Sequence, residues 1–310
     1  MKTTIAPCQG GRTLIELLVA MALGLLILLG VGTLYLASNQ STRASSEGAS
    51  IENLGQVALT QIGNSLRRGG YSEIVGTEVA GLGINVLYAG PSLRACPNAR
   101  FVGDDPNAGC GGAVAGAPDA IAIWYQADNQ LAAAQGGSDD CVGLPPTAVP
   151  VTNANYVPRV PTIPLVSNTF FVVGADLRCR ASDTQPLVTG VEDLKVYFGF
   201  DDVGFTNPGA IGTVPAARSV RDAAFMNANA AQGSWDQVVS VTVCVLMRSA
   251  EQGVTAQGGA ATYIPCPQTA DEAAGLAAVT PVPSADGRIR RAFTQTFSVR
   301  LRTKPSPLAG

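Results

Sequence analysis

The residues with the most distinctive chemistry in this 310-residue sequence are seven cysteines and one glutamate. Cys8 precedes a long apolar run, and the other six cysteines all follow it: Cys96, Cys110, Cys141, Cys179, Cys244 and Cys266. An even set of cysteines behind an N-terminal membrane segment is typical of disulfides in an oxidising compartment. A zinc site is the alternative, but the sequence has no C-x-x-C pair and no histidine to complete one. The cysteines therefore predict disulfides.

Long loops are the segments that such disulfides would constrain. Six cysteines allow fifteen pairings, and the one that we expect joins neighbours along the chain: Cys96–Cys110, Cys141–Cys179 and Cys244–Cys266. Closing a loop of about fifteen residues stabilises a fold by roughly 3 kcal/mol in the chain-entropy model. This would offset weak packing in four predicted loops that are rich in Gly, Ala and Asn: 84–118, 126–167, 201–234 and 249–290.

Catalytic and ligand-binding motifs are missing from the sequence. G-x-S-x-G, G-x-x-x-x-G-K-[ST] and a G-x-G-x-x-G behind a strand do not occur, and no histidine is present as general base or metal ligand. Three acid pairs in predicted loops could bind calcium but lack the D-x-[DN]-x-[DN]-G spacing, which favours solvated turns: Asp104-Asp105, Asp139-Asp140 and Asp201-Asp202. We expect no catalytic residue, no cofactor and no metal.

The composition also argues against a nucleic-acid-binding protein. The net charge is -3 at pH 7, and no basic stripe is present. Trp124 and Trp235 could be aromatic contacts on a partner-binding surface. Partial burial of Trp124 in a strand, with Trp235 at a loop–strand junction, is the interpretation that we favour.

Glu16 is the one charged residue between Thr13 and Ala37. The stretch Leu17–Ala37 is long enough, as a helix, to span the roughly 30 Å hydrocarbon core of a bilayer. A charge inside such a helix costs about 2.5–3.5 kcal/mol on insertion scales and usually has a partner. A secretory signal places its small residues after the apolar core, whereas Gly10 and Gly11 precede this one. The segment therefore indicates an anchor with a second role.

The segment GGRTLIELLVAMALGLL resembles the class III signal of type IV prepilins, in which a glycine precedes a hydrophobic helix with glutamate at its fifth position. Cleavage after Gly11 makes Arg12 the first mature residue and Glu16 the fifth. The resemblance implies that a membrane aspartyl peptidase cleaves there on the cytoplasmic side and methylates the new amine. It further implies that Glu16 pairs with the N-terminal ammonium of a neighbouring subunit. Arg12 departs from the family, which usually has phenylalanine at this position.

We expect one long helix from Thr13 to Arg68, stopped by Gly69-Gly70. Its second half has an apolar face at three- and four-residue steps, consisting of Ile51, Leu54, Ala58, Ile62 and Leu66. Several glycines should weaken the helix locally. A flexible linker over residues 38–50 is the alternative, because that stretch is rich in serine.

Period-two alternation of apolar residues predicts antiparallel strands at 119–125, 168–173, 191–200, 236–247 and 292–302. In 236–247, Val239, Val241, Val243 and Val245 should share the buried face. A sheet with one solvent-exposed face needs an apolar partner for its other face. The apolar face of helix residues 51–66 would provide it. We therefore predict an α+β fold: a long N-terminal helix, transmembrane and then amphipathic, packed on an antiparallel β-sheet domain with disulfide-stapled loops.

Five further segments make the chain resemble the PilW-type minor pilins: LRRGGY (66–71), PDAIAIWY (118–125), PLVTGVEDLKVYFGFD (186–201), WDQVVSVTVCVLMRS (235–249) and RRAFTQTFSVRLR (290–302). The resemblance implies a structural subunit that primes or tips a type IV pilus. The J-type pseudopilins of type II secretion are built similarly and stay open as an alternative. A different class also stays open, namely an uncleaved, signal-anchored periplasmic binding protein or enzyme.

The sequence divides into a leader (1–11), a transmembrane and filament-core helix (12–37), its amphipathic continuation (38–70) and a periplasmic β-rich domain (71–310). The resemblance implies a single-pass inner-membrane protein that later joins a pilus at the cell surface. Twitching motility, DNA uptake, adhesion and secretion stay open as the output. The implied partners are other minor pilins, the major pilin, the prepilin peptidase, the inner-membrane assembly platform and, before assembly, membrane lipid. A tip adhesin is a further candidate, and nucleic acid is not expected.

Overall fold

The computed structural model describes residues 13–72, 74–77, 84–86, 88, 90–103, 109–127, 140–144, 147–150, 162–181, 183–200, 219–228, 230, 235, 238–253 and 261–299. Helix α1 (Leu14–Arg68) has 55 residues and starts after Thr13, whose backbone is extended. It is helical throughout 38–50, so the flexible-linker alternative is wrong.

Two glycines end α1. The amide of Gly69 donates to the carbonyl oxygens of Ser65 and Leu66, which satisfies two of the carbonyls that a helix terminus leaves without partners. Gly70 has a φ of 77°, the left-handed conformation that glycine adopts without a Cβ penalty. The helix therefore stops where the sequence predicted.

The first part of the β domain is a small hairpin and a six-stranded antiparallel sheet. Strands β1 (Ile74–Thr77) and β2 (Ile84–Val86) form the hairpin. The sheet has the order β3-β4-β6-β7-β8, with β5 pairing to β6. Its strands are β3 (Leu93–Cys96), β4 (Ala120–Gln126), β5 (Thr147–Pro150), β6 (Thr162–Val173), β7 (Asp176–Arg180) and β8 (Thr184–Thr189).

The second part is a four-stranded antiparallel sheet and a small two-stranded antiparallel sheet. Its elements are β9 (Val191–Phe200), β10 (Ser219–Asp222), α2 (Ala223–Ala228), β11 (Val238–Arg248), β12 (Thr262–Tyr263), α3 (Ala270–Ala273), β13 (Val282–Pro283) and β14 (Arg290–Ser298). The sheet order is β10-β9-β11-β14, and β12 pairs with β13. The long helix and these sheets confirm the predicted α+β fold.

All five predicted strands are present, and their ends differ from the prediction by a few residues. The largest difference is at β6, which begins at Thr162 rather than at residue 168. The four segments predicted as loops also contain short elements: β2 and β3, β5 and the start of β6, β10 and α2, then β12, α3 and β13. Strands of two to four residues are too short to show period-two alternation, so the pattern could not reveal them.

One hydrophobic core joins α1 to both sheets. The helix buries the face predicted from the sequence, on which Leu54 is partly buried, and four further positions, Gly55, Leu59, Gly63 and Ser65. In β11, the pairing with β9 shifts register between Val238 and Ser240. Because of this irregularity Val238 is buried instead of Val239, which corrects one of the four valines expected on that face.

Both tryptophans are core residues. The exposed fraction of Trp124 is 1% and that of Trp235 is 7%, so their interpretation as exposed partner contacts is wrong. Trp124 lies on the face of the six-stranded sheet opposite the main core, where the ring of Phe101 packs edge-on at 6.3 Å. Trp235 packs edge-on against Phe198 at 5.1 Å in the main core. The loop containing Phe101 therefore covers a second, smaller apolar layer.

Candidate functional site

The first half of α1 is an apolar rod that contacts nothing else in the described part of the chain. Its large apolar side chains from Leu14 to Leu36 are 50–81% exposed, and the first buried residue of the helix is Ile51. Within the described ranges, α1 is the one helix long and apolar enough to cross a membrane. An exposed apolar surface of this extent marks a site that lipid or other proteins cover.

Glu16 is exposed in the first turn of this rod. Its amide donates to the Thr13 carbonyl oxygen at 3.0 Å, but no described residue gives its carboxylate a hydrogen bond or an ion pair. At 1.5 Å per residue, Glu16 lies about 50 Å along the helix from Ile51, where the β domain begins to cover it. The charges of the β domain that the structure describes therefore lie far from it. Gly11 and Arg12, the predicted cleavage residues, lie outside the described part of the chain.

The second half of α1 is fixed to the β domain by close packing. A Cβ atom on Gly55 would lie 2.5 Å from Cδ2 of Phe293, and one on Gly63 would overlap the ring of Phe297. Both phenylalanines belong to β14, so the missing side chains allow the helix backbone to approach this strand. Sequence reasoning predicted only that glycines weaken this helix, and it missed their role in the contact with β14.

Polar contacts also connect α1 to the β domain. The Glu47 side chain accepts a hydrogen bond from the Ala250 amide at 3.1 Å. Arg291 lies 3.5 Å from Glu52, but both side chains are more than half exposed, so this pair contributes little. The contact between α1 and the β domain therefore depends mainly on apolar packing, and the exposed apolar rod extends from this packed part of the helix.

Three disulfides link loops to strands. They are Cys96–Cys110, Cys141–Cys179 and Cys244–Cys266, the neighbour pairing expected from the sequence. The first two each involve a strand of the six-stranded sheet, and the third involves β11 of the four-stranded sheet. Each disulfide therefore stays with one sheet, and none of the three joins the two sheets.

Arg290 holds the loop before β14. Its guanidinium donates to Glu192 at 2.6 and 3.0 Å and to Asp286 at 2.6 and 2.9 Å, and it stacks on the ring of Tyr263. The hydrogen bonds from Arg290 hold the pKa of the Asp286 carboxyl well below its usual range. Sequence reasoning missed this cluster, because its members are distant in the chain and none belongs to a motif.

Metal-binding geometry is missing from the described ranges, which contain no group of three or more His, Cys, Asp or Glu side chains placed to hold an ion. The Asp140 carboxylate accepts hydrogen bonds from the amides of Val142 and Leu144 at 3.0 and 2.7 Å, as a turn residue does. The remaining paired acids lie outside the described residues: Asp104, Asp105, Asp139, Asp201 and Asp202.

Comparison with known proteins gives two family matches. Residues 164–301 match the family model described as Type IV Pilus-assembly protein W. Residues 7–32 match the model described as prokaryotic N-terminal methylation motif. The first begins within β6 and extends through β14, and the second covers the apolar rod, including Glu16, as far as residue 32. The two matches lie at opposite ends of the chain, in the order that the resemblance implied.

Among solved structures, the chain is similar to the type IV-like pilin TTHA1219 from Thermus thermophilus. The two are 13% identical, the alignment covers 80% of this chain and 94% of that chain, and the TM-score is 0.40. A search of curated proteins found no match.

Proposed function

We propose, from the premise that this chain belongs to the PilW-type proteins of the type IV pilin superfamily, that it is a minor pilin. It would be a structural subunit that primes or tips a pilus filament. The observation that carries this proposal is the 55-residue helix, whose first half is exposed and apolar and whose second half packs against a disulfide-stapled domain. Such a helix can exchange lipid for the helices of other subunits without refolding the domain.

The exposed rod supplies the assembly mechanism. Before assembly, lipid tails cover the apolar side chains between Leu14 and Leu36. In the filament, equivalent rods of the major pilin and of other minor pilins cover the same side chains. Because lipid and packed helices are both apolar, the transfer depends on close packing and on polar pairs rather than on the hydrophobic effect.

Glu16 is the polar group that would direct this packing. Its carboxylate has no partner among the described residues and lies about 50 Å from the start of the buried helix face. A methylated N-terminal ammonium on a neighbouring subunit would neutralise it in the apolar core. Leaving a buried charge unpaired costs about 3–5 kcal/mol. The pairing therefore favours the correct axial position of each subunit.

The proposed orientation places the leader, residues 1–11, in the cytoplasm and the β domain in the periplasm. Three disulfides support this orientation, because such bonds form and persist in the oxidising periplasm. Cleavage after Gly11 by the prepilin peptidase would free the amine of Arg12. The inner-membrane assembly platform would then move the subunit from lipid into the filament, where a tip adhesin is a further candidate partner.

The test is a pair of variants expressed in cells with an active pilus system. Glu16→Ala should insert in the membrane and lose its leader as the wild type does, but be depleted at least tenfold from the sheared filament fraction. Glu52→Ala changes an acid on the same helix whose ion pair is exposed, and should assemble normally.

Two results would contradict the proposal in different ways. Normal incorporation of Glu16→Ala would remove the pairing role of Glu16. Retention of residues 1–11 on the wild-type protein in these cells, read by mass spectrometry of the N-terminus, would instead indicate an uncleaved membrane-anchored protein of another class.

A further inference from the structure

A buried polar cluster lies between the two sheets, away from the apolar rod. Its centre is Lys195 in β9, which is 5% exposed. The Lys195 Nζ donates to Asn98 Oδ1 at 2.8 Å and to the Ala117 carbonyl oxygen at 2.9 Å. Asp119 is 7% exposed, and its Oδ1 atom lies 3.6 Å from Lys195 Nζ. An amine, an amide and a carboxyl group are thus together in a site that excludes water.

Main-chain hydrogen bonds fix the relative positions of these three groups. Asp119 Oδ1 accepts from the Asn98 amide at 2.9 Å, and Oδ2 accepts from the Val196 amide at 3.1 Å. The Asp119 amide in turn donates to the Leu194 carbonyl oxygen at 2.8 Å. Asp119 therefore bridges the residue that carries the amide and the strand that carries the amine.

We propose that Lys195 and Asn98 form a covalent amide cross-link, with Asp119 as the proton carrier. Asp119 first takes a proton from the Lys195 ammonium group. The neutral Nζ then attacks Asn98 Cγ, and Asp119 returns the proton to Nδ2 as the Cγ–Nδ2 bond breaks. The Asp119 carboxylate then takes the second proton that Nζ must lose and passes it to the released ammonia. The products are a Cγ–Nζ amide and one ammonium ion, with no change of oxidation state.

The surroundings fit this chemistry. Because Nζ donates to Oδ1, it lies next to Cγ, the atom that it would attack, and the reacting groups are held together by the fold. Burial raises the pKa of the Asp119 carboxyl, which helps it to hold a proton during the transfer, although the charge of Lys195 opposes this effect. Asp193 Oδ1, 4.0 Å from Nζ, is the other carboxylate facing the amine.

The cross-link would do what the three disulfides do not. Asn98 follows β3 in the six-stranded sheet and Lys195 lies in β9 of the four-stranded sheet, 97 residues further along the chain. A bond between them would tie the two sheets together. This inference concerns the β domain alone and does not depend on the proposed role in a filament.

The test is mass spectrometry of the full mature chain, purified in detergent and fully reduced. The expected mass is lower, by one ammonia molecule, than the mass calculated for the processed sequence. Peptide mapping should show the peptide containing Asn98 joined to the peptide containing Lys195. An uncross-linked Lys195 that reacts with an amine-specific reagent after unfolding, in a chain of full mass, would overturn the proposal.

Variants distinguish the cross-link from a succinimide. Asn98 could form a succinimide with the backbone amide nitrogen of the next residue, and this reaction would also lower the mass by one ammonia molecule. Lys195→Arg keeps the positive charge but cannot form this amide, so the mass deficit should disappear. Asn98→Ala should also abolish the deficit, whereas Asn64→Ala, the same change at an exposed position of α1, should keep it. A deficit that persists in Lys195→Arg would contradict the cross-link. The peptide map of the wild type decides the question even if a variant fails to fold.

Discussion

The ring of Phe297 in β14 occupies the space in which a Cβ atom on residue 63 of α1 would lie. Gly63 therefore determines how closely the helix approaches the sheet, and Gly55 has the same relationship with Phe293. Glycine inside a helix is unfavourable by about 1 kcal/mol relative to alanine. At these two positions the close approach of β14 explains why glycine is nevertheless present.

Gly63→Ala should destabilise the protein by about 1–3 kcal/mol, because the added methyl group forces the Phe297 ring out of its position. Gly48→Ala is the matched control, since a Cβ atom there would contact nothing within 4 Å. The control should be neutral or stabilising by up to about 1 kcal/mol. Urea unfolding in detergent, followed through the fluorescence of the buried tryptophans, measures both. Equal stability changes in the two variants would show that Gly63 has no packing role.

Removing the disulfides singly should destabilise the domain in the order of their loop lengths. The sequence separations are 14 for Cys96–Cys110, 22 for Cys244–Cys266 and 38 for Cys141–Cys179. In the chain-entropy model the shortest contributes roughly 3 kcal/mol and the longest about 1 kcal/mol more. Double Cys→Ala variants and denaturant unfolding test this order. The reverse order would mean that local packing, rather than the unfolded chain, controls these contributions.

The Arg290 cluster should make stability depend on pH in acid. The folded-state pKa of Asp286 is lowered from its ordinary value of 3.8, chiefly by hydrogen bonds from Arg290. The ionised carboxylate therefore contributes stability above that value, and this contribution is lost as the pH falls through the lowered pKa. Asp286→Asn should be less stable than the wild type at neutral pH, and the difference should shrink below about pH 4. A difference that stays constant with pH would contradict this assignment.

Asp119→Ala should cost about 3–5 kcal/mol. Without its proton carrier Lys195 would stay a buried ammonium group that has lost its nearest carboxylate, and the amides of Asn98 and Val196 would lose a side-chain acceptor. Asp176→Ala is the contrasting control. Its ion pair with Arg178 spans 3.7 Å, and both side chains are about one third exposed. Exposed pairs of this kind contribute about 0–1 kcal/mol. Comparable losses in the two variants, measured by urea unfolding, would show that burial does not set the contribution of Asp119.

Elements with a strong periodic pattern could be predicted from the sequence. Helix α1 and strands β4, β9, β11 and β14 have continuous apolar faces, and glycines mark the end of the helix. The short strands could not be predicted, because they take their conformation from pairing with neighbours. The bulge at Val238 lies within a predicted strand but could not be predicted either, since a register shift depends on the partner strand.

For the candidate site, the sequence by itself determined the apolar rod, the position of Glu16 within it and the presence of six cysteines behind it. These features are local, because composition and spacing along one helix are enough to define them. The tertiary structure decided which contacts form between distant segments: Gly63 with Phe297, Arg290 with Glu192, and Lys195 with Asn98 and Asp119. Such contacts depend on how strands pair and how α1 packs, and no spacing along the chain encodes them.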